Sequence, residues 1–368
     1  MSTPSFAVKA GAQSQQASNP LGLMRLDHIQ ICGDLSALEP LYRRLGFARV
    51  ASSSAAWGGL RHLRQNRMDI LLGETDSTTP FGRYAAIHGD GVNALAFEVE
   101  DVDQAFHAAL LRGAKARMEP LRAETGAGAV TTAAIQGFGD VWNLLIRREG
   151  PAPLQPGLQP DPLPALSQPG LLRVDHLTNN VGVGELDRWV DFYQRVYGFA
   201  VVREFHIRGE LGTGLTSKVV QSQNGRVIIP INEPLDEKSQ VQEFVQRHRG
   251  PGVQHIAMAT ADIRETLPIL HGQGFAFLSN PDTYYEMLPG RIAAGGYQVA
   301  EDLDRIREMG ILIDGDETGY LLQIFSEDQI GPLFYEIIQR KGNRGFGEGN
   351  FKALYDSIEL DQRRRGVL

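Results

Sequence analysis

The sequence predicts an α+β fold of two domains, each built from paired β-α-β-β-β units. Two observations predict it: a length of 368 residues, against roughly 150 for one ordinary domain, and a weak internal repeat. A proline-rich stretch separates the two copies and can sustain neither helical nor strand periodicity. We therefore expect a disordered lead-in at 1–20, an N-terminal domain at 21–150, a linker at 151–170 and a C-terminal domain at 171–368.

The repeat is visible in two pairs of segments. MRLDHIQICGDLSALEPLYRRLGFARV from Met24 aligns with LRVDHLTNNVGVGELDRWVDFYQRVYGFAVV from Leu172, and the segment from Gly91 aligns with that from Gly252. Each copy reads as a strand, an amphipathic helix and a glycine turn into further strands. The β-rich segments that follow include 226–232, 311–315 and 320–327.

Paired units of this kind resemble the vicinal oxygen chelate, or glyoxalase-like, architecture. In that architecture the sheet of each domain curls into a half-open barrel around a metal. The resemblance implies a half-open barrel in both halves of this chain, with no metal site in the N-terminal domain and a catalytic C-terminal domain that ends in a lid helix.

Composition restricts the possible partners. The chain has 42% hydrophobic and 22% charged residues, and no run approaches the roughly 18 apolar residues of a membrane span. A net charge of −8 argues against a nucleic-acid partner, which would call for clustered Lys and Arg. Cys32 is the single cysteine, so no intrachain disulfide or thiolate metal cluster is possible. We expect a cytoplasmic protein without a nucleic-acid or membrane partner.

The repeat also provides an internal control for residues that carry chemistry. The aligned pairs are His28 with His176, Ala94 with His255, and Asn143 with Glu336. Only the C-terminal half has two histidines and a carboxylate, the facial triad typical of non-haem Fe(II) oxygenases. All three lie on predicted strands, where alternate side chains face one way, so they could point into the same barrel.

Each of these residues also has a purely structural interpretation. A lone histidine on an apolar strand is more often a hydrogen-bonded core residue than a ligand. Glu336 in FYEIIQ is harder to explain in that way, because a buried carboxylate is costly unless it is paired or metal-bound. Three such residues on repeat-related strands favour a metal site. We expect His28 to be packed or hydrogen-bonded, and the other histidines to occupy surface or helix positions.

Longer motifs of the C-terminal half resemble one family. VDHLTNNV, GLTSKVV, IPINEP, GVQHIA, LLQIFSE, FYEIIQRKG and GFGEGNF are similar in order and spacing to segments of 4-hydroxyphenylpyruvate dioxygenase. The resemblance implies conversion of 4-hydroxyphenylpyruvate and O2 to homogentisate and CO2, a step of tyrosine catabolism. It implies one Fe(II) per chain on His176, His255 and Glu336, chelated by the substrate's own 2-oxo acid. A homo-oligomer is also expected.

The resemblance further assigns a substrate pocket. Its polar residues fall on Ser217, Asn232, Gln240 and Gln323, the last three with expected catalytic roles, and its aromatic walls on Phe325, Phe334, Phe346 and Phe351. Simple core packing is the alternative for the phenylalanines. Amides within apolar strands need polar partners, which a bound phenol or keto acid could supply.

The C-terminal segment predicts a mobile glycine loop that leads into a helix. The expected features are flexible backbone at Gly345, Gly347 and Gly349, an N-cap at Asn350, and an apolar face of Phe351, Leu354, Tyr355 and Ile358. This helix either only docks on the barrel or also closes the pocket as a lid.

Three other functions compete with ring hydroxylation. 4-Hydroxymandelate synthase uses the same substrate and triad, although Pro230 and Asn232 favour the ring-hydroxylating branch. A non-catalytic small-molecule-binding protein of the same fold would be favoured by loss of the triad, which is intact. An extradiol ring-cleaving dioxygenase lacks the glycine-rich C-terminal segment.

Overall fold

The computed structural model describes residues 19–54, 59–76, 78–208 and 214–364, with the backbone alone at 208, 355, 356 and 358–363. The predicted lead-in at 1–20 lies almost wholly outside these residues. The two copies of the repeat form two curled sheets, which confirms the predicted fold class.

The N-terminal half consists of two consecutive β-α-β-β-β units and one additional strand. Its elements are β1 (Leu23–Cys32), α1 (Leu35–Arg44), β2 (Ala48–Ser52), β3 (Arg61–Gln65), β4 (Met68–Gly73), α2 (Pro80–His88), β5 (Gly91–Val99), α3 (Val102–Leu111), β6 (Ala116–Thr125), β7 (Gly128–Gln136), β8 (Trp142–Glu149) and β9 (Gln159–Leu163). Asp34 and Asp101 cap α1 and α3, because each carboxylate accepts a hydrogen bond from a backbone N–H of the first turn.

The C-terminal half repeats this order with extra helices. Its elements are β10 (Leu171–Asn180), α4 (Leu186–Tyr197), β11 (Ala200–Arg208), β12 (Gly214–Gln221), β13 (Ile228–Pro234), α5 (Gln240–His248), β14 (Gly252–Thr260), α6 (Ile263–Gly272), α7 (Asp282–Gly295), α8 (Leu303–Glu308), β15 (Leu312–Asp316), β16 (Gly319–Phe325), β17 (Phe334–Lys341) and α9 (Glu348–Arg364). Within the described residues, no helix is both long and apolar enough to span a membrane.

The two sheets share one strand order. The order is β6-β7-β8-β5-β1-β4-β3-β2-β9 in the first sheet and β11-β12-β13-β10-β14-β17-β16-β15 in the second. Read from its last strand to its first, the second order matches that of the first sheet without β9. In each half the first strand of one unit pairs antiparallel with the first strand of the other unit. A parallel strand flanks this pair on either side, so the centre of each sheet is built from four strands of both units.

The strand register shows which positions of the two halves correspond. The paired rows are His176–Ala257–Glu336 in the C-terminal half and His28–Ala96–Leu144 in the N-terminal half. Leu144 therefore occupies the place of Glu336, and the predicted match with Asn143 is wrong by one residue. Both strands are buried on both faces, so their hydrophobic pattern does not fix the register, and a one-residue slip changes the face.

Part of the proline-rich linker is a strand, contrary to the expectation from its composition. Gln159–Leu163 pairs antiparallel with β2 at the edge of the first sheet, with Pro160 opposite Ala51. Proline is tolerated there because only one side of an edge strand has to donate hydrogen bonds. The linker therefore belongs partly to the N-terminal sheet.

The two halves meet through buried aromatic and histidine side chains. Tyr335 Oη donates to Tyr42 Oη over 2.7 Å, and Tyr84 Oη lies 2.7 Å from His248 Nε2. The His248 ring stacks on that of His88 with centroids 4.5 Å apart. One continuous hydrophobic core includes residues of both halves, so the domains are packed together rather than merely linked.

The expected surface or helix positions of the other histidines hold only in part. His88 and His248 end helices, but both are buried. His62 lies on strand β3 and is buried, with its Nε2 2.6 Å from Asp69 Oδ1. The expectation is wrong for His62, because a carboxylate partner makes a buried strand histidine acceptable.

His248 makes the contact between the halves sensitive to acid. Burial lowers the pKa of His248 to about 4, so the folded protein holds it neutral while the unfolded chain takes up a proton below about 6.5. The contribution of neutral His248 to the free energy of unfolding should be fully present above pH 6.5. It should fall by on the order of 1 kcal/mol per pH unit between pH 6.5 and 4 from this group alone.

Chemical denaturation of the wild type and His248→Gln across this pH range checks the expectation. His88 and Asp140 also lie close to His248. Both are unchanged in the variant, so a difference in slope between the two proteins is due to His248. The wild type should lose stability more steeply than the variant as the pH falls. Equal slopes would contradict a titrating His248.

Candidate active site

His176, His255 and Glu336 converge on one face of the C-terminal sheet. They lie on β10, β14 and β17, which are neighbouring strands. Ala257 stands between His176 and Glu336 in the register, and His255 precedes it by two residues, so the alternation of the strands puts all three on the same face. The small side chain of Ala257 leaves space between the larger ones.

The possible ligand atoms of the three residues lie within 4.8 Å of one another. Glu336 Oε2 is 3.1 Å from His176 Nε2 and 3.4 Å from His255 Nε2. All three residues are buried. The structure thus brings together the three residues that the sequence singled out for a metal.

Hydrogen bonds on the far side of each imidazole orient the ring. His176 Nδ1 lies 3.0 Å from Asp175 Oδ2, and His255 Nδ1 lies 3.0 Å from Gln254 Oε1. Because these oxygens only accept, each Nδ1 carries a proton, and Nε2 is the nitrogen that could bind a metal once it is unprotonated. Within the described part of the chain, His255 Nε2 and Glu336 Oε1 are buried without a hydrogen-bond partner. Such a donor set fits a divalent cation.

The electrostatics of the group are also those of a cation site. Burial opposes ionisation of Glu336, but His176 and the two imidazole contacts outweigh it and lower the pKa of Glu336 to about 2. For His176, burial opposes protonation, while Glu336 and Asp175 raise its pKa to about 9. The carboxylate is therefore ionised and held between the imidazoles, where a metal could replace the protons.

A small cavity of about 20 Å³ adjoins the three residues. It also contacts five of the predicted pocket residues, namely Ser217, Asn232, Phe325, Phe346 and Phe351. This volume holds about one water molecule, so the arrangement is closed. A cleft of about 1220 Å³ between the halves shares His176 and Phe346 with the cavity but does not contact His255 or Glu336.

Several polar atoms near the cavity are buried without partners. Ser217 on β12 pairs with Asn232 on β13, and the Ser217 hydroxyl has no hydrogen bond among the described residues. Gln323 on β16 is fully buried, and neither atom of its amide has a partner there. Leaving such groups unpaired costs about 1–3 kcal/mol each, so a polar ligand or water is expected beside them.

Three predicted pocket residues, Gln240, Gln323 and Phe334, do not line the cavity. Gln240 is exposed at the start of α5 and does not line the cavity, because the helix turns Val241 and Phe244 inward. Phe334 stacks on the His255 ring with centroids 5.0 Å apart and supports the imidazole from behind. Phe325 meets the same ring edge-on at 6.0 Å.

Sequence reasoning missed Thr178 and Asn180. Thr178 lines the cavity, and Asn180 Oδ1 accepts a hydrogen bond of 3.2 Å from Asn232 Nδ2. The signal was available, because the two residues follow His176 at spacings of two and four on the same strand.

The last helix begins earlier than its predicted cap. α9 starts at Glu348, after Gly347 with φ of 73°, so Asn350 lies inside the helix and the predicted N-cap is wrong. The Asn350 side chain instead accepts a hydrogen bond of 2.6 Å from Tyr284 Oη on α7. Phe351 packs in a cluster with Leu215 and Val241 at the cavity. The side chains of Tyr355 and Ile358 lie outside the described residues.

Comparisons with known proteins point in one direction. Residues 17–152 match the family described as hydroxyphenylpyruvate dioxygenase, HPPD, N-terminal, and residues 173–288 match the glyoxalase/bleomycin resistance protein/dioxygenase superfamily. The 4-hydroxyphenylpyruvate dioxygenase of Pseudomonas sp. (strain P.J. 874) is 40% identical over 95% of this chain and 98% of its own. Hemolysin VllY of Vibrio vulnificus is 40% identical over 96% and 98%.

A solved structure agrees with these relatives. A triple mutant of 4-hydroxymandelate synthase from Streptomyces coelicolor matches with a TM-score of 0.79 at 31% identity, over 93% of this chain and 99% of that one. The likeness therefore covers both halves, in sequence and in fold. The chain belongs to the 4-hydroxyphenylpyruvate dioxygenase family, and it is an enzyme rather than a binding protein of the same fold.

Proposed function

We propose that this protein is an Fe(II)-dependent dioxygenase that converts 4-hydroxyphenylpyruvate and O2 to homogentisate and CO2 in tyrosine catabolism, with one iron per chain. The observation that carries the proposal is the convergence of His176, His255 and Glu336 on a cavity with aromatic walls and unpaired polar groups. Relatives named 4-hydroxyphenylpyruvate dioxygenase, similar over nearly the whole chain, support the same reaction.

Three side chains would hold the metal. His176 and His255 would each offer Nε2, since Nδ1 of each ring faces another acceptor, and Glu336 would offer a carboxylate oxygen. When bound, Fe(II) supplies a Lewis-acid site for the 2-oxo acid and the electrons that O2 activation needs. The substrate's own keto acid would serve as chelator, so no separate 2-oxoglutarate is required.

The polar residues of the pocket would bind and orient the substrate. Ser217 and Gln323 have polar atoms without partners among the described residues, and Asn232 lies opposite Ser217. A phenol hydroxyl or a keto acid would supply the hydrogen bonds that these groups lack. Gln240 could take part only if the start of α5 moved, because its side chain is exposed in the closed arrangement.

The phenylalanines would hold the aromatic ring and exclude water. Phe325, Phe346 and Phe351 line the cavity, and Phe334 packs behind His255. Apolar walls favour the ring over water and protect reactive species from side reactions. We propose that α9 is a lid, since it carries Phe351 to the cavity and follows the loop that carries Phe346.

4-Hydroxymandelate formation is the second candidate. The structural likeness to a 4-hydroxymandelate synthase favours keeping it, because that enzyme shares the fold. Pro230 and Asn232, both at the cavity, favour ring hydroxylation. The two reactions give different products from the same substrate.

We further propose a cytoplasmic homo-oligomer without a nucleic-acid or membrane partner. The net charge of −8 and the single buried cysteine support this setting.

Product analysis tests the proposed reaction directly. Protein loaded anaerobically with Fe(II) should develop a weak visible charge-transfer band on addition of 4-hydroxyphenylpyruvate, because the 2-oxo acid chelates the metal. After O2 is admitted, mass spectrometry should find homogentisate without added 2-oxoglutarate. A dependence on 2-oxoglutarate would refute the proposal, and 4-hydroxymandelate as product would establish the second candidate.

Substitution of the ligands tests the metal site. Replacing His176, His255 or Glu336 with Ala should abolish turnover and lower iron affinity by more than the roughly 10- to 100-fold typical of outer-shell changes. His28→Ala is the matched control, because the corresponding positions of its half are Ala94 and Leu144. It should retain iron. Loss of iron from the control but not from His255→Ala would place the site in the other half.

Changes in the C-terminal segment test the lid. Truncation after Gly345 should leave a folded, iron-binding protein that consumes O2 without equivalent homogentisate, because water then reaches the cavity. Phe351→Ala should weaken substrate binding about tenfold and spare the iron, as expected for loss of one aromatic contact of about 1 kcal/mol. Full-rate, coupled turnover after truncation would contradict the lid. Failure to fold would favour a purely structural helix.

A further inference from the structure

A partly buried arginine lies behind His176. Arg340 is on β17, and its Nε and Nη2 donate to the carboxylate of Asp175 over 3.0 and 2.7 Å. The same carboxylate lies 3.0 Å from His176 Nδ1 and 3.0 Å from Arg173 Nη1, which is half exposed. The strand register shifts between Val174 and His176, which is a bulge that frees Asp175 from simple alternation. Arg340 therefore reaches the ring of His176 through one carboxylate.

The same guanidinium also contacts the loop that leads to α9. Arg340 Nη1 donates to the carbonyl of Gly345 over 2.6 Å, and the guanidinium carbon lies 5.5 Å from the centre of the Phe346 ring. That ring meets His176 edge-on, with centroids 5.4 Å apart. Asn343 Oδ1 accepts from Gly345 N over 2.6 Å and so shapes the turn that presents the carbonyl. Arg340 therefore contacts the loop directly and is connected to His176 through Asp175.

The N-terminal half contains a copy of part of this arrangement. Asp27 Oδ2 lies 2.7 Å from His28 Nδ1 and accepts from Arg148 Nη1 over 2.7 Å. Arg148 corresponds to Arg340, because each lies four residues after the matched pair Leu144 and Glu336. In the described contacts of Arg148, the side-chain hydrogen bonds go to Asp27 alone. The shared part therefore stabilises the sheet in both halves, and the loop contact is specific to the C-terminal half.

We propose that Arg340 is a positioning residue that couples closure of the loop Asn343–Phe346 to the orientation of His176 through Asp175. The planar guanidinium can serve both partners because its three nitrogens point in fixed directions. When the loop is closed, Gly345 holds Nη1 and the remaining nitrogens hold Asp175 against the imidazole. When the loop opens, Arg340 loses the Gly345 carbonyl as an acceptor, and the side chains of Asp175 and His176 become freer to rotate.

The inference builds on the proposed metal site but its test does not need turnover. Co(II) added to the metal-free protein without O2 reports the site through its dissociation constant and visible spectrum. Hydrogen exchange of the amides of 343–352, followed by mass spectrometry, reports the loop. Arg340→Lys keeps the positive charge but loses the planar guanidinium that can donate to Asp175 and Gly345 at once. It should weaken Co(II) binding about tenfold, alter the spectrum and speed loop exchange.

Arg148→Lys is the matched control, because it breaks the equivalent ion pair with Asp27 in the half where the described residues form neither a loop contact nor a triad. It should lower the melting temperature to a similar extent and leave Co(II) binding and loop exchange unchanged. Equal changes in both variants, or an unaltered Co(II) site in Arg340→Lys, would overturn the coupling.

A second variant approaches the coupling from the loop. Asn343→Ala removes the acceptor for Gly345 N. In the described contacts, the Asn343 side chain touches none of the three metal-site residues. If the coupling is correct, Asn343→Ala should bind Co(II) several-fold more weakly and should exchange the amide hydrogens of 343–352 faster. This test remains available if Arg340→Lys does not fold. Faster loop exchange with unchanged Co(II) binding would refute the proposal. If both readouts behave as expected but no homogentisate forms, the proposed function fails and the coupling stands.

Discussion

The carboxylate of Glu336, buried in the centre of a sheet, is the constraint on which the C-terminal half depends. A buried charge without compensation costs several kcal/mol, and removal of its partners is strongly destabilising. Here His176 and His255 provide the compensation on one side, and within the described part of the chain Oε1 has no hydrogen-bond partner. The surrounding structure serves to keep these groups in contact, since the pairing of β10, β14 and β17 fixes their row.

The two halves show how one scaffold can hold a site or lose it. Both retain the aspartate, the histidine and the arginine on equivalent strands. The difference lies at Leu144, whose apolar side chain packs with Ala94 and Ala96 where the other half has Glu336 and His255. Replacement of the buried carboxylate by leucine removes the need for a cation, so the N-terminal sheet can keep its histidine as a hydrogen-bonded core residue.

The sequence predicted those features that depend on local pattern. The strands, the helices and the three converging residues follow from periodicity and from a carboxylate inside an apolar run. The strand at Gln159–Leu163 was missed because edge pairing is decided by the neighbouring strand and not by its own composition. The partner of Asn350, Tyr284, lies on a distant helix, so the local pattern wrongly predicts an N-cap. Gln240 was misplaced although Val241 and Phe244 already marked the inward face of α5.

The network around Arg340 was also overlooked, and its signal lies in the repeat itself. The pair Asp-His recurs at the first strand of each half, and an arginine recurs four residues after the position of Glu336. Charged residues that recur in both copies, one of which has no triad, cannot owe their presence to metal binding alone. The repeat thus separates two requirements. The contacts common to both halves maintain the sheet, and the contacts present in only one half serve its chemistry.

The closed cavity explains why the loop before α9 matters for that chemistry. A volume of about 20 Å³ cannot admit an aromatic keto acid. Yet Ser217 in its wall and Gln323 on β16 have polar atoms without partners among the described residues, and such a molecule could provide them. Phe346 lines both this cavity and the large cleft between the halves, so its displacement would join the two spaces. Phe346 also packs against both His176 and Arg340. In the proposed coupling, access to the site and the orientation of His176 therefore depend on the same few contacts.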